Sequence, residues 1–260
     1  SDVESFLLKV NDLPGFNFKS VLMPWTGSGG EEGAVVLVMK SSREGLAGSV
    51  SFDNSGSRFL GPHQATLSCR ASLLPMQQTS LSLSSTVSAR EMNQVTFDHA
   101  AAILPDVTVG FNLGMTKAYP GYNLKPLDVD SVSLSSGISA TYQVIRQRRE
   151  NLSFKAAFDS KNIASDIIDA PLTRDHIRAL RLTASYDFAD GVRGYNIASA
   201  TASRGLGFFG ASNKGDTNLS RALAVPDFLK LEASFTRQQA MGRNWLLTAA
   251  VSGQMSSLPL

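Results

Sequence analysis

The 260-residue sequence carries 24 lysines and arginines against 22 acids, a formal net charge of +2, with 43% hydrophobic residues and a mean hydropathy of −0.03. No apolar run reaches the roughly 18 residues that a membrane-crossing helix needs, so a helical membrane protein is excluded, and the scattered basic residues do not point to nucleic acid. Cys69 is the only cysteine, which rules out an internal disulfide or a cysteine metal cluster, and the sequence starts without a signal peptide.

Val3, Phe6, Leu7 and Val10 recur at helical spacing, so residues 2–12 read as a short amphipathic helix that Pro14-Gly15 stops. Phe16 to Met23 alternates and reads as a strand. A Gly- and Ser-rich loop from Trp25 follows, then a second strand from Ala34 to Lys40. Helix, strand and strand over residues 1–44 are too few to form a secure core, and they read as the end of an α+β domain.

From Gly45 onward the period is two. In Thr79–Ala89, Leu81, Leu83, Val87 and Ala89 share one face, while Ser80, Ser82, Ser84, Thr86 and Ser88 share the other. Val107–Thr116, Asn151–Ser160 and Leu229–Arg237 repeat the pattern, one apolar face and one polar. About eleven such strands are expected, near 46–53, 63–74, 79–89, 94–103, 107–118, 131–145, 150–160, 178–189, 193–204, 228–239 and 243–254. Most have the length of a tilted membrane-spanning strand.

The connections alternate between tight turns and long segments. Asn54–Pro62, Tyr119–Asp130, Lys161–His176 and Gly205–Asp227 read as the long loops; only Arg90–Asn93 breaks the alternation. Short turns on one rim and long loops on the other are the layout of an outer-membrane barrel, whose alternating strands average to near-zero hydropathy. A soluble sandwich would have shorter strands, and a solenoid would show a fixed repeat that is absent. The fold class expected is therefore all-β, an antiparallel transmembrane β-barrel over residues 45–260. The polar face carries Ser and Thr with occasional charge: Arg70, Lys155, Asp159, Arg181, Asp187, Lys230 and Glu232, read as lumen-lining. Bacterial single-chain barrels have an even strand count and no free edges in lipid, so an odd eleven predicts an unfinished barrel.

Particular residues resemble a known family. Asn11-Asp-Leu-Pro-Gly15 with Val21-Leu-Met-Pro24 resembles the end of the last POTRA domain of two-partner secretion transporters, the pores that export haemolysins and filamentous haemagglutinins. Gly48 to Pro62 resembles that family's first strand and first loop, through Asp53, Asn54, Gly56, Arg58 and Gly61. Ser203-Arg-Gly-Leu206 resembles a later strand end, and Ser252-Gly-Gln254 with Leu258-Pro-Leu260 the approach to the sixth extracellular loop. The resemblance implies a 16-stranded barrel behind two periplasmic POTRA domains, in the bacterial outer membrane. It implies that residues 1–44 lie in the periplasm and that a secreted exoprotein with an N-terminal secretion domain is the partner. Outer-membrane lipid and lipopolysaccharide are the expected surroundings, with no cofactor, nucleotide or nucleic acid. The break then falls before the sixth loop, whose Val-Arg-Gly-Tyr motif gates the family's pore. Val192-Arg-Gly-Tyr195 spells the same motif but falls in a tight turn, and is read as a coincidence. The alternatives are an insertase of the same superfamily, or a passive diffusion porin, against which residues 1–44 argue.

Sites for catalysis are few. His63, His99 and His176 have no metal-ligand spacing, and no Gly-x-Ser-x-Gly is present, so neither an enzyme nor a metal is expected. His99 is expected on the apolar face, and Cys69 facing lipid between Leu67 and Ala71. The strand holding Phe16, Phe18 and Val21 is the candidate for adding a substrate strand by backbone pairing. Phe59, Tyr119, Tyr122 and Trp245 are read as either an aromatic girdle or loop packing.

Overall fold

The computed structural model describes residues 2–25, 34–43, 45–221 and 226–257. The expected loop from Trp25 to Glu31 and the expected ending at Leu258-Pro-Leu260 fall largely outside them. Helix α1 (Asp2–Asn11) precedes β1 (Phe16–Pro24) and β2 (Val35–Arg43), which form a two-stranded antiparallel sheet.

Eleven further strands follow: β3 (Leu46–Asp53), β4 (Gln64–Ala71), β5 (Gln77–Thr86), β6 (Met92–Leu104), β7 (Val107–Ala118), β8 (Val129–Arg146), β9 (Glu150–Ile167), β10 (Ala170–Ala189), β11 (Gly194–Gly205), β12 (Leu229–Met241) and β13 (Trp245–Ser256). They pair only with their chain neighbours, all antiparallel, in one open meander from β3 to β13. All eleven expected strands are present. One expected loop is not. Lys161–His176 is not a loop but the top of a β9–β10 hairpin, turned at Ile168-Asp169, and His176 lies within β10. Ile168 and Asp169 both have positive φ (46° and 59°), the backbone that a two-residue type I′ hairpin turn requires. The polar residues of that stretch suggested a loop, but their backbone amides are paired across the hairpin.

Register fixes the tilt. Arg70, Ser80, Asp98, Asn112, Gly137, Asp159, Ala179 and Gly205 stand directly opposite one another in a row across β4 to β11. At the short-turn rim β4 ends one residue past this row, at Ala71, while β11 begins eleven residues before it, at Gly194. Ten residues of stagger over seven strand spacings is about 33 Å of drop over about 34 Å of width, a tilt near 45°. That is the slope of a membrane barrel wall.

The same row shows that β8, β9 and β10 run on. They extend eight or nine residues beyond it at the long-loop rim, to Val129, Ile167 and Ala170, whereas β11 stops on it at Gly205. Their excess is about 30 Å along the strands and roughly 20 Å along the barrel axis. The segment after β11 lines the exposed edge of β10: Leu206 N–H donates to Arg178 O (2.9 Å), Ser212 N–H to His176 O (2.8 Å), and Arg174 N–H to Asn218 O (2.6 Å).

The two faces of the sheet are chemically distinct. Among the described residues only Ala179 and Ala211 are buried hydrophobics, so there is no apolar core inside the sheet. Large apolar side chains such as Leu67, Leu83, Phe154, Leu182 and Phe235 are instead exposed on one face. The other face is knitted by hydroxyl pairs across strands: Thr66 to Ser84 (2.9 Å), Ser68 to Ser82 (3.1 Å), Ser131 to Ser165 (2.8 Å) and Thr183 to Thr201 (3.0 Å). Such a molecule is inside out relative to a soluble sandwich.

Candidate translocation face

Each of the seven charged residues expected on the polar face is there. Arg70 stands between Ala47 and Ser80, and Lys155 between Thr141 and Thr183. Lys155 shares a shallow hollow with Asp98, Asn112, Gln78 and Ser80. Asp159 and Arg181 form an ion pair at 2.5 Å between β9 and β10. Gly137 makes room for it: a Cβ there would stand 2.8 Å from Asp159 Oδ1 and 2.5 Å from Asn112 Oδ1. Lys230 and Glu232, two apart on one face of β12, pair at 2.8 Å.

Asp187 belongs to a chain of contacts that sequence reading missed. Its Oδ2 accepts from Asn151 Nδ2 (2.8 Å) and from the Tyr195 hydroxyl (2.6 Å). Arg146 Nη1 donates to Asn151 Oδ1 (2.9 Å), and the same guanidinium grips Asp12, with Nη2 to Oδ1 at 2.9 Å and Nε to Oδ2. Lys9 pairs with Asp106 at 2.7 Å, and the Ser5 hydroxyl donates to Arg146 O at 2.8 Å. Helix α1 is therefore tied to the turns after β6 and β8, and through Arg146 and Asn151 to the polar face. The only prior signal was the position of Asn11-Asp-Leu-Pro-Gly15 ahead of the barrel strands.

On β1 the three expected residues differ in role. Phe16 and Phe18 stack at 5.6 Å, on the opposite side of the strand from Val21. Trp25 N–H donates to Ala34 O, so odd-numbered residues of β1 point their amides at β2, and Val21 is committed to Val38. Phe16 and Phe18 lie on the other edge, but their amides already donate to Leu13 O (3.3 Å) and Asn11 Oδ1 (2.9 Å). The edge positions that follow are Ser20 and Leu22.

The first-loop residues build a folded cap. Asp53 Oδ1 accepts from the Ser55 amide (3.0 Å) and hydroxyl (2.5 Å), Asn54 is exposed beside it, and Gly56 N–H donates to Pro62 O (3.2 Å). Gly61 takes φ +87°, where a Cβ would press on the Thr86 side chain. Arg58 lies over the rings of Phe59 and Tyr122 (5.6 and 5.3 Å), and Gly121 N–H donates to Phe59 O (2.7 Å). Phe59 and Tyr122 thus pack loop against loop. Trp245, by contrast, is exposed at the start of β13, as is Tyr119 after β7.

Register also places Cys69 and His99 among apolar residues. Cys69 stands opposite Leu81 and His99 opposite Phe111 on the apolar face, where Thr79 Oγ1 bonds His99 Nδ1 at 2.9 Å. Val192-Arg-Gly-Tyr195 spans the β10–β11 turn and the start of β11. There Asp190 accepts from the Gly194 amide (2.8 Å), the Val192 amide (3.0 Å) and Arg237 Nη1 (2.6 Å). Those bonds, the Gly194 amide first, lower the Asp190 carboxyl to about 2.

A tilted meander with an apolar outer face, a hydroxyl-rich inner face and no interior core is the wall of an outer-membrane transmembrane β-barrel. The profile of the haemolysin secretion/activation proteins ShlB/FhaC/HecB matches residues 32–260, and the chain belongs to that family of two-partner secretion transporters. Among solved structures it is similar to CdiB from Escherichia coli (TM-score 0.79, 15% identity, covering 97% of this chain and 47% of that one). CdiB from Acinetobacter baumannii matches at TM-score 0.61 and 11% identity, over 95% of this chain and 45% of that one. BamA from Haemophilus ducreyi lacking POTRA domains 1-3 matches at 0.53 and 9% identity, over 99% and 48%. The chain spans a little under half the length of each. No curated protein sequence matches it.

Proposed function

We propose that these residues form part of an outer-membrane pore that recognises a partner exoprotein in the periplasm and passes it outward through the lumen as an extended chain, in two-partner (type V) secretion. The observation that carries this reading is the inner face. Four of its seven charges are paired, Asp159 with Arg181 and Lys230 with Glu232, and Arg70, Lys155 and Asp187 stand singly among many hydroxyls. Such a wall wets an unfolded polypeptide and holds none of its side chains strongly. Arg70, Lys155, Asp159, Arg181, Asp187, Lys230 and Glu232 are its lumen-lining residues. Residues 1–44 form the end of a periplasmic POTRA domain and 45–260 the first part of the barrel. The exoprotein's N-terminal secretion domain adds to the POTRA segment through the β1 edge, with the stacked Phe16 and Phe18 beside it. The process uses no nucleotide, nucleic acid or metal, and the barrel contacts outer-membrane lipid. The likeness to BamA is weaker and supports an insertase less well.

The test is a photo-crosslinker at Arg181 or Lys230 in the intact transporter, with an exoprotein stalled in transit. Adducts are expected at these inner-face positions and absent at outer-face Leu182 and Leu231. Equal labelling of both faces, or adducts with nascent outer-membrane proteins instead, would overturn the assignment.

A further inference from the structure

The outer face ends differently at its two rims. Along β10 the apolar stretch runs from Leu180 to Phe188, about 27 Å of strand and about 20 Å of membrane height at the tilt above. At the short-turn rim it meets Arg237, on the outer face of β12. That guanidinium is satisfied within the protein: ion-paired to Asp190 at 2.6 Å and bonded to Asn196 Oδ1 (2.8 Å) and Gln239 Oε1 (2.6 Å).

At the long-loop rim two arginines next to the apolar stretch have no acid partner among the described residues. Arg178 is the next outward residue beyond Leu180 on β10, and Arg204 stands directly opposite Leu180 on β11, so the two are diagonal neighbours on one surface. Neither forms an ion pair among the described residues. The acids nearby are engaged or apart: Asp166 is paired with Arg174 two rows higher, with Asp130 opposite it, and Asp227 lies by Gly207. Arg178 is nevertheless held in place. Its Nε donates to Phe209 O (3.1 Å) and its Nη1 to Asn162 Oδ1 (2.8 Å), and Nη2 has no partner among the described residues. Arg204 is exposed and makes no hydrogen bond among the described residues.

Directly beside these charges lies an aromatic step. Phe209, 70% exposed, packs edge-on against outward-facing Phe158 at 5.8 Å and against Phe208 at 4.8 Å. A fixed guanidinium, a second free one and an exposed aromatic pair, all on the lipid side at the upper edge of the apolar band, match one ligand chemistry: a phosphate joined to acyl chains.

We infer that Arg178 and Arg204 bind a phosphate of lipopolysaccharide in the outer leaflet, with Phe208 and Phe209 against its acyl chains. The inference rests on the outer-membrane reading above, which makes the long-loop rim the extracellular one. It assigns a role to the segment after β11, which positions Phe209 and fastens Arg178.

The test uses the intact transporter purified in detergent, titrated with diphosphoryl lipid A, dephosphorylated lipid A and phosphatidylglycerol under native mass spectrometry. Diphosphoryl lipid A is expected to bind at least tenfold more tightly than the other two. R178Q/R204Q removes that preference, and so does Arg204→Gln alone in larger part. Arg204 makes no hydrogen bond among the described residues, so its substitution is expected to leave the barrel folded, which heat-modifiable gel mobility checks. Equal binding of the three lipids overturns the proposal, as does a folded double variant that keeps the preference. Equal binding of phosphatidylglycerol alone shows a general anionic-lipid surface and equally rejects lipopolysaccharide. A wild-type protein that does not insert in outer membranes would instead sink the barrel reading on which this rests.

Discussion

Asp190 shows how single side chains set the rims of this wall. Four donors converge on its carboxylate, and the β10–β11 turn is organised around it. Its folded value lies near 2, below the ordinary 3.8. The stabilisation is therefore fully present above about 3.8 and is lost as pH falls through about 2. The expected outcome is that the Asp190 carboxyl titrates near pH 2 in carboxyl-detected NMR, and that the turn amides of Val192 and Gly194 shift with it. A midpoint near 3.8 would show that the turn does not hold the carboxylate. Face membership was legible in advance: alternation groups the seven charges with the hydroxyls, and Cys69 and His99 with the apolar side chains, as the register does. What alternation cannot show is partnership across strands. Arg146, Asn151 and Tyr195 gather around Asp187 because register brings four strands into line, and register is not written in any one strand.

At the scale of the element, the β9–β10 hairpin is where sequence reading erred. Asn, Asp, Ser and Pro between Lys161 and His176 look like a loop, yet the strands continue because both neighbours, β8 and the segment after β11, offer them partners. Polar composition there reflects strands standing clear of lipid. The turn is not ideal: Ile168 is β-branched and holds φ 46°, a region that such residues avoid. Ile168→Asn should stabilise the hairpin by about 1 kcal/mol, read as slower amide exchange at Thr173 and Arg174. Faster exchange would mean that Ile168 contributes a contact that outweighs its backbone strain.

For the whole molecule, the decisive fact is that β3 and β13 each have one partner strand. Unpaired edges in a hydrocarbon layer cost several kcal/mol per exposed group, so these eleven strands need others between β13 and β3 to complete a wall. Residues 2–257 expressed alone are expected to give no heat-modifiable band and no conductance steps in planar bilayers. Discrete, long-lived steps from that piece would show that the meander closes on itself. The barrel class was readable from strand length and alternating connections. The stagger that sets the slope was not, since it depends on which residue faces which.

The seam along β10 has one more consequence. A three-stranded blade standing above its neighbours would ordinarily offer its bare flank to any extended peptide or to the same blade on an adjacent copy. Here the chain covers that flank with its own backbone, at Arg174, His176 and Arg178. Densely crowded copies can therefore sit shoulder to shoulder without trading strands along this flank, and Ile168-Asp169 at the summit becomes a natural place to graft a reporter tag.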